Sequence, residues 1–428
     1  MLNPIIKEDL LYYLWKTKSF DLSGLKTTDG KLIEVIDFGN QNYDSGPDFS
    51  NAKIKIDETI WAGNVEMHVY ASDWEKHSHD VDKAYDNVIL HVVFDYDKDV
   101  YTTTEHLIPC VELKDRIDKT LISSYTRLIN NNLWIPCERS IAQVDELTIS
   151  FWMQRLIIER LESKVKYLNT ILGIKENDWE ETLYIALMRY MGAKVNTEPF
   201  ENLAKKLPYK LILKNKDNLQ HIEALLYGQA GMLLAEYEDE YFQQLKQDYS
   251  FLSKKYSLTS ISPVAWKFAR MRPAGFPTVR IAQVAQILFH EQHLFSKIKE
   301  IEDIKVLRSL FEVTPSAYWE EHYRFGKSST KKPKKLSNAF IDVLIINVIA
   351  PILFLYGKQV GDESFKEKAI SHLEQIKAEK NKIIDKFKSL DINAKSAADS
   401  QALIQLKKAY CDEKRCMSCA IGNRIIKS

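Results

Sequence analysis

The segment that decides the fold is 46-GPDFSNAKIKIDETIWAGNVEMHVY-70, which contains two strand-like runs joined by a short turn. Apolar and β-branched residues in "AKIKID" and "IWAGNVEMHVY" are typical of β-strands. Gly-Pro-Asp precedes the first run, and Glu-x-His lies inside the second. A β-hairpin does not need two carboxylates and an imidazole at one end, so these residues are candidates for a functional site.

A register can be predicted for this hairpin. With a three-residue turn that begins at Asp57, Asp48 lies directly across from His68. Because side chains alternate along a strand, Asp48, Glu66 and His68 then project to one face. Three isoleucines further along the hairpin are predicted to share that face: Ile54, Ile56 and Ile60.

Two carboxylates on a half-buried face repel each other unless one is protonated or a cation lies between them. Oxygen ligands favour Mg²⁺ or Mn²⁺, and an ion held by two carboxylates can activate water against a phosphodiester. An imidazole beside that ion, His68, could orient or deprotonate the water. Asp48, Glu66 and His68 are therefore the predicted catalytic residues.

The flanking sequence predicts a mixed α/β unit. A helix capped by Asn3 is expected in "NPIIKEDLLYYLWKT", a strand in "KLIEVIDFG", a short helix in "HDVDKAYDNV" and a strand in "VILHVVFDY". With the hairpin, the order becomes helix, three strands, helix, strand. Helical patterns then dominate, over 145–171, 178–191, 219–237, 278–298, 337–356 and 361–389. We expect an α+β protein with an αβββαβ domain at 1–125 and a mainly helical domain at 126–428.

Composition restricts the function classes. The net charge of zero divides into −10 over residues 1–125 and +10 over residues 126–428. An acidic part suits a divalent cation and a basic part suits nucleic acid, although the two parts could also complement each other. No secretory signal and no apolar run long enough to cross a bilayer are recognised, because Asp342, Asn347 and Pro351 interrupt the longest one. A cytoplasmic protein without membrane partners is expected.

The order αβββαβ, with Pro47-Asp48 opening the second strand and Glu66-x-His68 on the third, resembles the PD-(D/E)xK phosphodiesterase superfamily, which includes restriction-endonuclease-like enzymes. The resemblance covers about residues 5–97. It implies that Asp48, Glu66 and the Met67 carbonyl bind the metal. His68 stands where the superfamily pattern has lysine. The resemblance further implies Glu8 as an outer ligand and Tyr85 as a residue near the phosphate.

Nearly the whole chain also resembles an uncharacterised bacterial family known only by a domain-of-unknown-function label. The shared motifs are "DSGPDF", "GNVEMHV", "SDWEKHSHD", "ILHVV" and "RMRPAGFPTVRIAQ", together with the cysteine-bearing C-terminus. This resemblance carries no activity.

The segment "EKHSHD" indicates a rival site. His77 and His79, with nearby carboxylates and His91 on the following strand, could bind Zn²⁺, which accepts imidazole and carboxylate together. These histidines could instead supplement the Asp48–Glu66 site, or they could be exposed residues around a helix cap.

Three cysteines at the C-terminal end, Cys411, Cys416 and Cys419, have the spacing C-x4-C-x2-C. With a fourth ligand from Cys137 or Cys110, they could hold Zn²⁺ or an Fe–S cluster. The alternative is that they pack as small apolar groups.

Arg270, Arg272 and Arg280 in "WKFARMRPAGFPTVRIAQ" could contact nucleic-acid phosphates, although arginines also serve buried carboxylates.

The leading prediction is a metal-dependent phosphodiesterase, a nuclease acting on nucleic acid. One alternative is a non-catalytic protein in which an eroded nuclease fold binds nucleic acid or protein. Another is a zinc-dependent hydrolase built on His77 and His79.

Overall fold

A computed structural model describes residues 6–42 and 44–427. Asn3 and Pro4, the predicted start of the first helix, lie outside these residues. The strands are β1 Ile33–Asp37, β2 Asn40–Gln41, β3 Phe49–Ile56, β4 Thr59–Tyr70, β5 Val88–Asp95, β6 Cys110–Glu112, β7 His322–Arg324 and β8 Lys327–Ser328. The helices are α1 Glu8–Thr17, α2 Asp73–Lys76, α3 Lys119–Ile129, α4 Glu146–Ile174, α5 Trp179–Met191, α6 Thr197–Lys206, α7 Tyr209–Leu213, α8 Leu219–Gln229, α9 Glu240–Tyr256, α10 Pro277–His290, α11 Leu294–Glu300, α12 Ile304–Ser309, α13 Tyr318–Glu321, α14 Asn338–Leu344, α15 Ala350–Val360, α16 Glu363–Glu374, α17 Lys382–Lys388, α18 Ala397–Gln405 and α19 Ala420–Lys427.

The chain forms two compact units. The first comprises residues 1–154, 385–392 and 404–428, and the second comprises 155–384 and 393–403. The sequence prediction placed one boundary after residue 125. The structure instead continues the first unit to residue 154 and returns the C-terminal segments to it. Such a return depends on long-range packing, which local sequence patterns do not report.

The first unit is built on a mixed sheet with the order β1-β3-β4-β5-β6, and β2 pairs with β3. β1, β3 and β4 are antiparallel, whereas β5 and β6 each run parallel to the preceding strand in the sheet. α1 packs against β4 and β5, and α2 packs against β4. The predicted order of helix, three strands, helix and strand is therefore present, with two additional short strands, β2 and β6.

The helix predicted in residues 79–88 is reduced to a 3-10 turn at Lys83–Tyr85, and the short helix α2 lies before this segment. β5 is apolar except for His91 and the terminal Asp95, and all its residues from Val88 to Phe94 are buried. This continuous burial fits a strand that is paired on both sides and covered on both faces.

β4 approaches its neighbours closely at Gly63. A Cβ atom at this position would lie 2.5 Å from Ile89 Cγ2 and 2.6 Å from the carbonyl oxygen of Asn87. We expect Gly63→Ala to lower the free energy of unfolding by about 2 kcal/mol, because backbone as well as side-chain atoms would have to move. Urea denaturation measures this change. Ala62→Ser at the exposed neighbouring position should stay within about 0.5 kcal/mol of the wild type. Equal midpoints for both variants would contradict the expected clash.

Most of the second unit is helical, as predicted, but several helices are shorter than their sequence patterns. α8 ends at Gln229 and is followed by Gly231, whose φ of +73° turns the chain. The pattern at 278–298 is divided between α10 and α11, and the pattern at 361–389 is divided between α16 and α17.

The prediction that no run is long enough to cross a bilayer was wrong by length and composition. Residues Asn338–Val360 form one continuous helix that is long and apolar enough, the one such helix in the described chain, and 67% of its most apolar window is buried inside the protein. It passes Pro351 through a π-helical turn, Ile345–Ile349, in which the Ala350 N–H donates to the Ile345 carbonyl. The carbonyl of Ile346 instead accepts from Lys164 Nζ at 3.1 Å. A buried helix of a folded core passes the same test of length and composition.

Candidate metal centre

The hairpin register differs from the prediction. β3 and β4 are joined by a two-residue turn, so that Ile56 pairs with Thr59 and Lys55 with Ile60. Ile60 therefore faces outward beside a lysine and is 54% exposed. Its predicted place on the inward face was wrong. A turn shorter by one residue moves every side chain of the partner strand to the other face.

A β-bulge then shifts the register a second time. It lies between Phe49 and Ala52, and Asn51 within it has a φ of +59°. Beyond the bulge Phe49 pairs with Val65, so the next residue along, Asp48, lies beside Glu66 instead of opposite His68 as predicted.

This second shift also changes which residues share a face. By the alternation of side chains, Ile54 and Ile56 share a face with Val65, and Asp48 shares the other face with Glu66 and His68. The predicted grouping of Ile54 and Ile56 with the site residues was therefore wrong, whereas Asp48, Glu66 and His68 share one face as predicted.

The two carboxylates are linked through the backbone. The Asp48 N–H donates to Glu66 Oε2 at 3.0 Å, and Asp48 Oδ2 accepts from the Met67 N–H at 3.0 Å. Glu66 is 5% exposed. The proline-led turn and the bulge therefore bring one carboxylate from each strand to the same point.

Four imidazoles lie next to these carboxylates. His68 on β4 and His91 on β5 are buried, and His68 Nδ1 is 2.8 Å from His91 Nε2. On its other side, His68 Nε2 is 3.1 Å from His77 Nδ1. Glu66 Oε1 is 3.3 Å from His79 Nε2 and 3.8 Å from His68 Nε2.

The segment after β4 delivers His77 and His79. Its anchor is Trp74 of α2, which is fully buried and donates its indole N–H to the Tyr101 carbonyl at 3.1 Å. Ser78 has a φ of +63°, which turns the chain between the two histidines. Two imidazoles two residues apart can therefore face one point without an extended backbone. The alternative expectation was that both histidines are exposed around a helix cap. His77 is exposed, but His79 is buried, with 9% of its surface accessible.

Burial and mutual repulsion shift the ionisation of the site. Burial, reinforced by the neighbouring imidazoles, lowers the pKa of His68 to about 2, and burial lowers the pKa of His91 to about 3. Burial and then the charge of Glu66 raise the pKa of Asp48 to about 8. His68 and His91 are therefore held neutral, at a place where added positive charge would stabilise the ionised form of Asp48.

The ligand atoms have the spacing of a coordination site. The described residues contain one group of three or more metal-binding side chains whose ligand atoms lie within 4.8 Å of one another: His68, His77 and His79. Nitrogen ligands of a tetrahedral zinc ion with bonds of about 2.0 Å are separated by about 3.3 Å. Three separations fall near that value: 3.1 Å between His68 Nε2 and His77 Nδ1, and 3.3 and 3.8 Å from Glu66 Oε1 to His79 Nε2 and His68 Nε2.

Two residues predicted as supporting groups border this site. The ring of Tyr85 stacks on His79 with centroids 3.7 Å apart, and its pKa is raised to about 12 by burial and by Glu66 and Asp48. Burial raises the pKa of Glu8 on α1, while the His77 charge opposes the increase.

Sequence reasoning missed Tyr12, whose hydroxyl donates to Glu8 Oε2 at 3.3 Å and whose pKa is raised by burial and by Asp48. The sequence could have indicated Tyr12, because it lies four residues after Glu8 and hence on the same face of α1.

The other predicted residues lie elsewhere. Cys137, Cys411, Cys416 and Cys419 surround one cavity in the first unit, whereas Cys110 packs with Ala71 and Val93. Arg270 and Arg272 are exposed in the second unit. Arg280 lies over the ring of Phe340 at 3.6 Å and donates to Gln283 at 2.9 Å, so its guanidinium is used within the fold.

No curated protein and no solved structure matches the chain. A family whose description is "Protein of unknown function (DUF2851)" matches residues 8–382. This range includes Asp48, Glu66 and the four histidines around them, and it ends before Cys411. The protein belongs to this family of unknown function.

Proposed function

We propose that this protein is a metal-dependent hydrolase of phosphodiesters, with nucleic acid as its substrate. The observation that carries the proposal is the convergence of Glu66 with His68, His77 and His79 at ligand spacing, beside a second carboxylate.

The donor set favours a transition-metal ion over Mg²⁺. Imidazole nitrogens suit zinc and its neighbours, whereas Mg²⁺ prefers oxygen ligands and retains its water. With three imidazoles and one carboxylate, Zn²⁺ fits best, and Mn²⁺ remains from the initial expectation. The leading prediction and the zinc alternative thus describe one site, in which His77 and His79 complete the ligands contributed by β4.

The remaining groups have distinct roles. If His68 binds the ion through Nε2, its Nδ1–H donates to His91 Nε2, which fixes the tautomer and the orientation of the ring. Asp48 is held by the Met67 N–H and stands next to the ligands, where it can accept a proton from an attacking water. A bound ion would lower the pKa of that water and neutralise charge on a phosphate.

A phosphodiester is favoured by three features. The order of helix, strands and helix around the site is the one that the resemblance to PD-(D/E)xK enzymes implies. Two adjacent carboxylates at a metal are a common arrangement for phosphoryl chemistry. The net charge of +10 over residues 126–428 suits a polyanionic substrate, for which Arg270 and Arg272 are exposed candidates.

Metal analysis and hydrolysis assays test the proposal together. We expect the purified protein to hold about one zinc or manganese ion per chain at this site. After chelation, it should recover cleavage of bis(p-nitrophenyl) phosphate and of DNA or RNA on addition of Zn²⁺ or Mn²⁺, but not on addition of Mg²⁺ alone. It should show no comparable activity on p-nitrophenyl acetate, which has no phosphorus.

His79→Gln is the informative variant, and His106→Gln is its matched control. His106 is an exposed histidine of the same unit, and its Nδ1 lies at hydrogen-bond distance, 2.9 Å, from Thr104 Oγ1. The His79 variant should lose the metal and the phosphodiesterase activity, whereas the His106 variant should keep both. Equal metal content and activity in the two variants would remove the histidine site from the mechanism.

A further inference from the structure

A second cluster of potential ligands lies in the first unit, apart from the histidines. The side chains of four of the five cysteines line one small cavity that is partly open to solvent: Cys137, Cys411, Cys416 and Cys419. Cys137, Cys416 and Cys419 are buried. Because Cys137 is far from the others in sequence, only folding brings the four together.

The backbone around these cysteines is folded tightly. Cys411 ends a π-helical segment, Leu406–Cys411, and Cys416 begins a 3-10 turn. Gly422 of α19 lies directly on that turn, where a Cβ atom would be 2.2 Å from the Cys416 carbonyl oxygen. Lys414 fixes the loop between them by donating to the carbonyls of Ile129 and Asn131 at 2.6 and 3.1 Å.

The cavity offers sulfur ligands only. Besides the four thiols, its lining contains no carboxylate and no imidazole. Burial raises the pKa of Cys137 to about 12 and also raises those of Cys411 and Cys416, with the neighbouring cysteines adding to each increase. Three buried thiols and the half-buried thiol of Cys411 therefore face one space.

The ligand set favours one of the two metal centres that accept four thiolates. Structural zinc sites accept histidine as well as cysteine. Clusters of the [4Fe–4S] type are held by four cysteine thiolates. A lining with four thiols and no imidazole therefore fits a cluster.

We propose that Cys137, Cys411, Cys416 and Cys419 bind a [4Fe–4S] cluster. On binding, the four thiols release four protons, and each thiolate forms a bond to one iron. Arg415 also lines the cavity, and Lys407 and Lys414 lie close enough to favour the thiolate forms of Cys411 and Cys416. These cations suit the negative charge of a thiolate-bound cluster.

The cluster would join the C-terminal segment to the rest of the first unit. The turn that begins at Cys416 packs against α1, and α19 packs against α3. α1 is also the helix that carries Glu8 and Tyr12 to the border of the histidine site. This inference does not depend on the proposed hydrolase activity.

Anaerobic purification and spectroscopy of the full chain test the proposal. We expect about four iron and about four sulfide ions per chain, broad visible absorption, and an electron paramagnetic resonance signal after one-electron reduction by dithionite. Zinc in place of iron, or four free thiols without metal, would overturn it.

Cysteine variants locate the cluster. Cys137→Ala and Cys416→Ala should lose the visible absorption and most of the iron, whereas Cys110→Ala, which removes a buried cysteine outside the cavity, should retain both. Equal retention in all three variants would overturn the assignment. Should the ligand variants fail to fold, the iron, sulfide and resonance of the wild type still decide the proposal.

His79→Gln separates the two metal centres. This variant should keep the cluster while losing phosphodiester cleavage, so failure of either proposal is visible without the other. Loss of the visible absorption in a folded His79→Gln protein would contradict two independent centres.

Discussion

Glu66→Gln is expected to lower metal affinity by about 10²-fold or more and to reduce phosphodiester cleavage to the background rate. Glu66 supplies the carboxylate that lies 3.3 Å from His79 Nε2 and 3.8 Å from His68 Nε2. Changes in the groups behind a metal ligand already cost 10- to 100-fold, so loss of the charged ligand itself should cost at least as much. Calorimetric titration of the chelated protein with Zn²⁺, followed by cleavage assays, measures both effects.

The glutamine variant is a fair test because it preserves shape. Its side-chain oxygen can still accept the Asp48 N–H, which Glu66 Oε2 accepts at 3.0 Å, so the bulge should remain folded. Glu112→Gln serves as the control, since this carboxylate accepts the Tyr96 N–H at 3.1 Å elsewhere in the same sheet. Unchanged Zn²⁺ binding in the Glu66 variant would exclude the proposed centre.

Asp48→Asn is expected to stabilise the metal-free protein while reducing cleavage strongly. In the folded state the pKa of Asp48 is raised from 3.8 to about 8, by burial and by the charge of Glu66. The folded state therefore holds a proton that the unfolded chain has released between about pH 4 and pH 8. The free energy of unfolding of the wild type falls as pH rises through this window.

Asparagine has no proton to release, so the advantage of the variant should grow with pH. After allowance for partial exposure of the carboxyl, we expect about 2 kcal/mol at pH 7 and little difference near pH 4. Urea denaturation in the presence of a chelator, at several pH values, measures the difference from the wild type. Titrating groups distant from Asp48 cancel in that difference.

Zn²⁺ should reduce this stability advantage of the variant. An ion at the site would stabilise the ionised Asp48 of the wild type, so the two free energies of unfolding should move closer together. Asp44→Asn, at an exposed position in the same loop, should follow the wild type at every pH. If the stability advantage of Asp48→Asn over the wild type stays constant or decreases as the pH rises, the raised pKa of Asp48 is contradicted.

The sequence predicted that Asp48, Glu66 and His68 share one face, but not the route by which they meet. The predicted turn was one residue too long, and the bulge at Asn51 was not foreseen. Each error shifts the register by one, so together they return Asp48 to the face of Glu66. Alternation alone cannot detect such a pair of shifts, because a two-residue displacement leaves the parity of every side chain unchanged.

His91 and Tyr12 illustrate a second limit. His91 was visible as a histidine on the next strand, but its contact with His68 depends on the parallel pairing of β4 and β5. Pairing between strands separated by a helix and a long loop is decided by packing, not by local sequence. Cys137 and the C-terminal cysteines are still further apart in sequence, so local patterns cannot indicate that they line one cavity.

By itself the sequence determined the strand and helix types in the first unit, the Asp48–Glu66–His68 grouping and the C-x4-C-x2-C spacing, because these follow from short-range periodicity and residue chemistry. Only the tertiary structure decided that His77 and His79 join that grouping, that Cys137 and not Cys110 faces the other cysteines, and that Arg280 is used internally. Those outcomes depend on which distant surfaces exclude water together, and burial is a property of the folded chain as a whole.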